Sequence, residues 1–255
     1  MIGTSSNGKN FDLLDSSSAN WREALEYACS NLDALTPVYL PVVELAKRHA
    51  CGYELLARFS GGPAAPPAMW FESAAKLGLT APLERRIMRA GFLTADALPE
   101  GPFVSVNITA EALVSPQLQE LFKQRDRYDN MVLEVSEKDI QEPGVAEALA
   151  PFRAGGGRLA VDDIGAGFSN LRDVLTLKPD IIKVDRAIVR GVERDRIKSA
   201  IVEGLGRMAE RLDIQLLAEG IERREELAEL ERLGVPLGQG YLFGEPGPTF
   251  GQPAA

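Results

Sequence analysis

Short apolar runs and amphipathic stretches alternate along most of this chain. The runs fall at residues 38–45, 52–59, 103–108, 131–137, 157–164, 180–185, 214–220 and 235–243. Each is short and rich in aliphatic residues, which predicts a buried strand, the first made irregular by Pro41. Helical spacing is predicted between them over 70–77, 82–98, about 109–122, 145–153, 170–177, 194–212 and 223–233. Upstream, Trp21, Leu25 and Ala28 share a helical face. They predict an amphipathic helix over 18–28, capped by Ser18 or Asn20 and packed on the outside of the strand-and-helix array. Residues 1 to 18 read as a loosely held polar segment, and the Pro/Gly-rich tail from Gly247 reads as frayed.

Eight strands mostly separated by helices predict a TIM-like (β/α)8 barrel. An open doubly wound sheet is the main rival, but no phosphate-binding glycine fingerprint comes after the first strand. Too few residues join the first two strands for a parallel crossover, so one of that pair is expected to run antiparallel. The expected division is 1–36 as a polar segment plus helix, 37–247 as the barrel and 248–255 as the tail.

Composition narrows the chemistry. The 255 residues are 45% hydrophobic and 25% charged, with a formal net charge of −9. That balance suits a globular domain and argues against binding a nucleic-acid polymer by broad phosphate neutralisation. The chain has one histidine, His49, and two cysteines, Cys29 and Cys51, too few for the usual zinc sites. Any metal site must therefore be oxygen-rich, for Mg²⁺, Mn²⁺ or Ca²⁺. The thiols read as free in a reducing compartment. With no signal peptide and no apolar stretch long enough to span a bilayer, a cytoplasmic location is expected.

Polar residues recur in or just beyond the apolar runs: Glu54, Asn107, Glu134 with Glu137, Asp162 with Asp163, Lys183 with Asp185, Glu219 with Glu222, and Gln239. In a barrel the C-terminal strand ends meet at one face, where active sites sit. Asp162 and Asp163 lead directly into Gly165 and Gly167, a loop that needs special backbone angles. Singly, each residue has an ordinary structural reading: a helix cap at Asn107, Asp163 or Ser169, an ion pair at Glu134 or Asp185, a helix N-terminus at Glu222. Together, acids crowded at one mouth repel unless cations lie among them. Two divalent ions sharing a carboxylate, activating water and holding phosphate oxygens, suit such a cluster.

These segments resemble the EAL domain family, the cyclic di-GMP phosphodiesterases. The resemblance runs through Glu54-Leu55-Leu56, Val106-Asn107-Ile108, Glu134-Val135-Ser136-Glu137, the loop from Asp162 to Leu171, Lys183-Val184-Asp185, Ala218-Glu219-Gly220-Ile221-Glu222 and Gln239-Gly240-Tyr241. Seven motifs in family order cover about residues 37–246. The resemblance implies that Glu54, Asn107, Glu134, Asp162 and Asp163 hold two Mg²⁺ or Mn²⁺ ions, with Ca²⁺ inhibitory and Asp162 bridging. It implies that Lys183 orients the attacking water or stabilises phosphate charge, and that Glu219 is a general base or a further metal-linked acid. Glu222 and Gln239 are implied to line the substrate site, Arg58 to contact phosphate, and Glu137 to anchor the loop after Asp163. The implied reaction is hydrolysis of cyclic di-GMP to linear pGpG. A homodimer near residues 168–177 and a regulatory protein are implied partners. The chain departs from the family pattern at Leu40 (usually Gln), Leu55 (Ala), Ala75 (Glu) and Glu245, with milder changes at Ile164, Ala166 and Asn170. None removes an implied metal ligand; they bear on substrate affinity and turnover. A cyclic di-GMP receptor or interaction module that does not hydrolyse is the alternative.

Overall fold

The computed structural model describes residues 9–164 and 177–253, without the side chains of 9–19, Leu32 and Asp163. Eight strands close into a barrel in chain order: β1 (Leu35–Glu44), β2 (His49–Phe59), β3 (Phe103–Asn107), β4 (Met131–Ser136), β5 (Arg158–Ile164), β6 (Ile181–Val184), β7 (Gln215–Ala218) and β8 (Leu237–Gly238). The strand running against the others is β1. It pairs antiparallel with β2 over a long ladder and with β8 at Val43–Gly238 and Glu44–Leu237, while every other neighbouring pair is parallel. The four-residue turn at 45–48 forces this reversal, because a parallel return needs a long crossover.

Helices cover the barrel: α1 (Lys9–Ser30), α2 (Pro67–Leu77), α3 (Thr80–Ala97), α4 (Ala110–Leu113), α5 (Pro116–Phe122), α6 (Val145–Ala154), α7 (Arg186–Val189), α8 (Arg196–Leu212) and α9 (Arg224–Arg232). The helix expected over 109–122 is two. Ser115 caps the second, accepting from Leu118 N at 3.3 Å, and Pro116 sits at its first position. The first helix begins at Lys9. Ser18 and Asn20 thus lie inside it rather than capping it, and residues 9–18 are helical rather than loosely held. Ala24, Leu25 and Ala28 of this helix join the core between helices and sheet. The helix expected over 170–177 falls outside the described residues, apart from Leu177.

Strand alternation sorts side chains into two cores. Outward residues such as Val104, Leu133, Val161 and Ile182 pack under the helices. Inward residues form a separate plug of Val42, Phe103, Val132, Ala160, Ile181, Leu217 and Leu237.

Two ends differ from expectation. The last strand is only Leu237–Gly238, not 235–243, because Gly240 (φ 151°) turns the chain against the Ile221 backbone. A Cβ there would lie 2.3 Å from Ile221 N, so only glycine fits. The tail is pinned as far as Gly251. Gly247 bridges to Tyr39, the Phe250 ring lies 4.7 Å from that of Tyr39 and 5.1 Å from that of Tyr53, and Tyr53 OH donates to Gly251 O at 3.3 Å.

Candidate active site

Two residues beyond the apolar plug, the same inward face turns polar. A strand repeats its face every second residue. Val132 is therefore succeeded by Glu134, Ala160 by Asp162, Ile181 by Lys183, Leu217 by Glu219 and Leu237 by Gln239. The parallel register carries these side chains to one rim, joined there by Glu54 of β2 and Asn107 at the end of β3.

Lys183 is the hub. It is 1% exposed, and its Nζ lies 2.5 Å from Glu134 Oε2, 2.7 Å from Glu219 Oε1 and 3.4 Å from Asp162 Oδ1. A second group ties on at Glu54, which accepts from Asn107 Nδ2 and from Gln239 Nε2, each at 2.8 Å. Gln239 Nε2 also reaches Glu219 Oε1 at 3.1 Å, linking the two groups, while its own Oε1 is buried without a hydrogen-bond partner.

Three carboxylates thus touch one ammonium, with Glu54 near enough to feel its charge, and burial makes that charge costly. Burial pushes the Glu134 carboxyl up to about 8, with Glu54 and Asp162 adding to the rise and Lys183 opposing it. The Glu219 carboxyl is pushed up to about 7 by burial, again against the pull of Lys183. Lys183 is held well above its ordinary value: desolvation acts against its charge, and the surrounding acids outweigh it.

The rim opens into a cleft of about 520 Å³ whose wall includes Arg58, Phe71, Asn107, Glu134 and Asp162. Arg58 is exposed in the cleft wall, with Nη1 donating to Ala57 O at 3.2 Å. Glu137 is buried just beyond β4, its backbone N–H donating to Asp162 O at 3.2 Å. The backbone of Asp163 belongs to β5, but its side chain and residues 165–176 lie outside the described residues. Glu222 stands apart: it is half-exposed and paired with Arg186 Nη2 at 3.1 Å. His49 lies in the β1–β2 turn region beside Glu44, at 3.8 Å. Leu40 faces Glu54 across the β1–β2 ladder, and Ala75 lines the cleft.

One buried acid in the cleft wall escaped the strand-end pattern. Glu84 of α3 accepts from Thr109 N at 2.8 Å and from Thr109 Oγ1 at 3.1 Å, and burial pushes its carboxyl up to about 7. Its signal was an acid on the helix face that also carries Leu83, Ile87 and Met88.

The donor chemistry fits hard divalent cations: oxygen ligands, mostly anionic, in a buried rim where positive charge is short. Among the described residues no three His, Cys, Asp or Glu side chains close on one point. Lys183 takes that central place.

A barrel with its acids gathered at the C-terminal strand ends defines the class, a TIM-like barrel carrying a rim site. Residues 22–246 match the model of the EAL domain, and the chain belongs to the EAL domain family. It is 32% identical over 242 residues to the probable cyclic di-GMP phosphodiesterase PdeG of Escherichia coli (strain K12), a match covering 90% of this chain and 48% of that protein. The chain thus spans about half the length of that relative. The calcium/cyclic di-GMP complex of Klebsiella pneumoniae BlrP1 is 27% identical, with a TM-score of 0.78 over 99% of this chain and 70% of that one. The pH 6 manganese/cyclic di-GMP complex of the same protein is 28% identical, with a TM-score of 0.75 over 96% and 68%. No helix among the described residues is long and apolar enough to cross a membrane.

Proposed function

We propose that this chain hydrolyses cyclic di-GMP to linear pGpG with two Mg²⁺ or Mn²⁺ ions. The observation that carries this reading is the convergence of Glu54, Asn107, Glu134, Asp162, Lys183 and Glu219 on one rim beside the cleft. Glu54, Asn107, Glu134, Asp162 and Asp163 would hold the ions, which supply charge stabilisation and an acidified water. Lys183 keeps its proton and sets a fixed positive charge beside the reacting phosphate. Glu219, in contact with Lys183 and Gln239, accepts a proton from the attacking water. Gln239 fixes the carboxylates of Glu54 and Glu219 through one amide nitrogen. Arg58 meets a phosphate at the cleft mouth, Glu137 anchors the loop after Asp163, and Glu222 with Arg186 borders the site. Ca²⁺ would take the same oxygen ligands without supporting turnover. A homodimer through residues 168–177 and a regulatory protein partner belong to the same proposal, as does a cytoplasmic setting.

The test is turnover of purified protein with Mg²⁺ or Mn²⁺ and a Ca²⁺ control. We expect pGpG with the first two and none with Ca²⁺; no pGpG at micromolar enzyme overturns the reading. A second reading, a receptor that binds cyclic di-GMP without cleaving it, is favoured by the apolar Leu40 opposite Glu54 and by Ala75 in the cleft wall. Calorimetry separates the two: binding in Ca²⁺ with no product in Mg²⁺ marks a receptor.

A further inference from the structure

We propose that Glu84 is a positioning residue: from α3 it fixes the backbone after β3 and so aims Asn107 at Glu54 and at the cations. The cation part of this inference rests on the proposed hydrolytic function; the aiming of Asn107 does not.

Asn107 is the exposed last residue of β3, preceded by four buried ones. No tight packing sets its side chain, so the backbone that carries it must. Three consecutive residues are tied to three different elements. Asn107 Nδ2 donates to Glu54 Oε1 at 2.8 Å, Ile108 N to Glu134 O at 2.9 Å, and Thr109 N to Glu84 Oε2 at 2.8 Å. The Thr109 hydroxyl is committed twice. It lies 3.1 Å from Glu84 Oε2 and accepts from Ala112 N at 3.3 Å. Its one proton must therefore go to Glu84 while its lone pair caps α4. Glu84 itself is 3% exposed on a helix held against the sheet by Leu83, Ile87 and Met88. A carboxylate on a rigid element that receives both a backbone and a hydroxyl donor is a fixed post for the loop.

A cap alone would not need a buried acid. An amide acceptor could take the Thr109 N–H at a smaller desolvation cost. What the acid adds is one oxygen strong enough to hold both donors of Thr109. Groups that orient a metal ligand from behind typically change metal affinity about 10–100-fold when removed.

The experiment uses the full chain as wild type, Glu84→Ala, Glu84→Gln and Thr109→Val. Three quantities are read: the Asn107 side-chain amide signal by ¹⁵N NMR without metal, Mn²⁺ affinity by electron paramagnetic resonance of the free ion, and the thermal midpoint. We expect Glu84→Ala to shift the Asn107 amide toward a free-amide position and to weaken Mn²⁺ binding about tenfold. Glu84→Gln, which keeps an acceptor oxygen but a weaker one for two donors, should restore only part of both. A folded Glu84→Ala whose Asn107 signal and Mn²⁺ affinity match wild type overturns the proposal, however far its midpoint falls. If Glu84→Ala does not fold, Glu84→Gln decides: an Asn107 signal at the wild-type position overturns the proposal, and a shifted one supports it. Thr109→Val, which loses the hydroxyl bond and keeps the backbone bond to Glu84, should shift it less. Wild type that binds no Mn²⁺ counts against the metal assignment, and the Asn107 signal then tests the positioning role by itself.

Discussion

The barrel interior holds two layers built by the same strands, and they obey opposite rules. Below lie Val42, Phe103, Val132, Ala160, Ile181, Leu217 and Leu237. Above, two residues further along five of those strands, lie Glu134, Asp162, Lys183, Glu219 and Gln239. Burying a large aliphatic or aromatic side chain in the lower layer is worth about 1.5–3 kcal/mol. The upper layer buries charge with too little counter-charge, which costs stability rather than adding it. One layer holds the cylinder shut, and the other carries charge that its own packing does not balance.

The sharpest way to break this comparison is to swap what each layer loses. Removing a rim acid by Glu54→Ala or Asp162→Ala should cut turnover by about 10²–10³-fold or more while the chain stays folded. Full activity in both variants, measured as pGpG release, would end the bimetallic assignment. Leu217→Ala in the lower layer should do the reverse. It should lower unfolding free energy by about 2–5 kcal/mol in urea titrations and leave turnover per folded molecule near wild type.

A smaller effect should appear on titration without metal. Folded Glu134 and Glu219 hold their protons to about pH 8 and 7, whereas the unfolded chain releases them near the ordinary 4.5. The folded state therefore binds more protons across this window. Stability should fall as pH rises from about 4.5 towards 8 and level off above. Lys183 is protonated in both states there and adds no slope. Urea midpoints with EDTA should show the fall, and saturating Mn²⁺ should flatten it. A midpoint that rises over the same range would contradict the charge balance described for the rim. Smallest of all should be Arg186→Ala. It breaks a pair with side chains 55% and 38% exposed, and is expected to change stability by less than about 1 kcal/mol.

Much of this is legible in the chain itself, for a physical reason. Apolar runs mark strands, and a period of two places residue 134 on the same face as 132 and residue 183 on the same face as 181. The antiparallel strand is dictated by a connection too short to cross over. Other features depend on partners that no local pattern reveals. Residues 9–17 mix Phe11, Leu13 and Leu14 with polar residues and give no clean helical face, yet the helix starts there. The composition of the tail suggests fraying, but one ring, Phe250, finds two tyrosines. Spacing shows that Lys183 faces the acids, not that it touches three of them. Glu84 lies out of reach of strand patterning because it enters the site from a helix and acts on a loop.

The closure between β1 and β8 rests on two residue pairs, Val43–Gly238 and Glu44–Leu237, whereas the β1–β2 ladder spans Leu35 to Glu44. A cylinder fastened so unevenly has a preferred tear line. The β7–β8 pairing is as short, so amide protons of β8 should exchange with solvent before those of β4 and β5, and the barrel should breathe at its last strand.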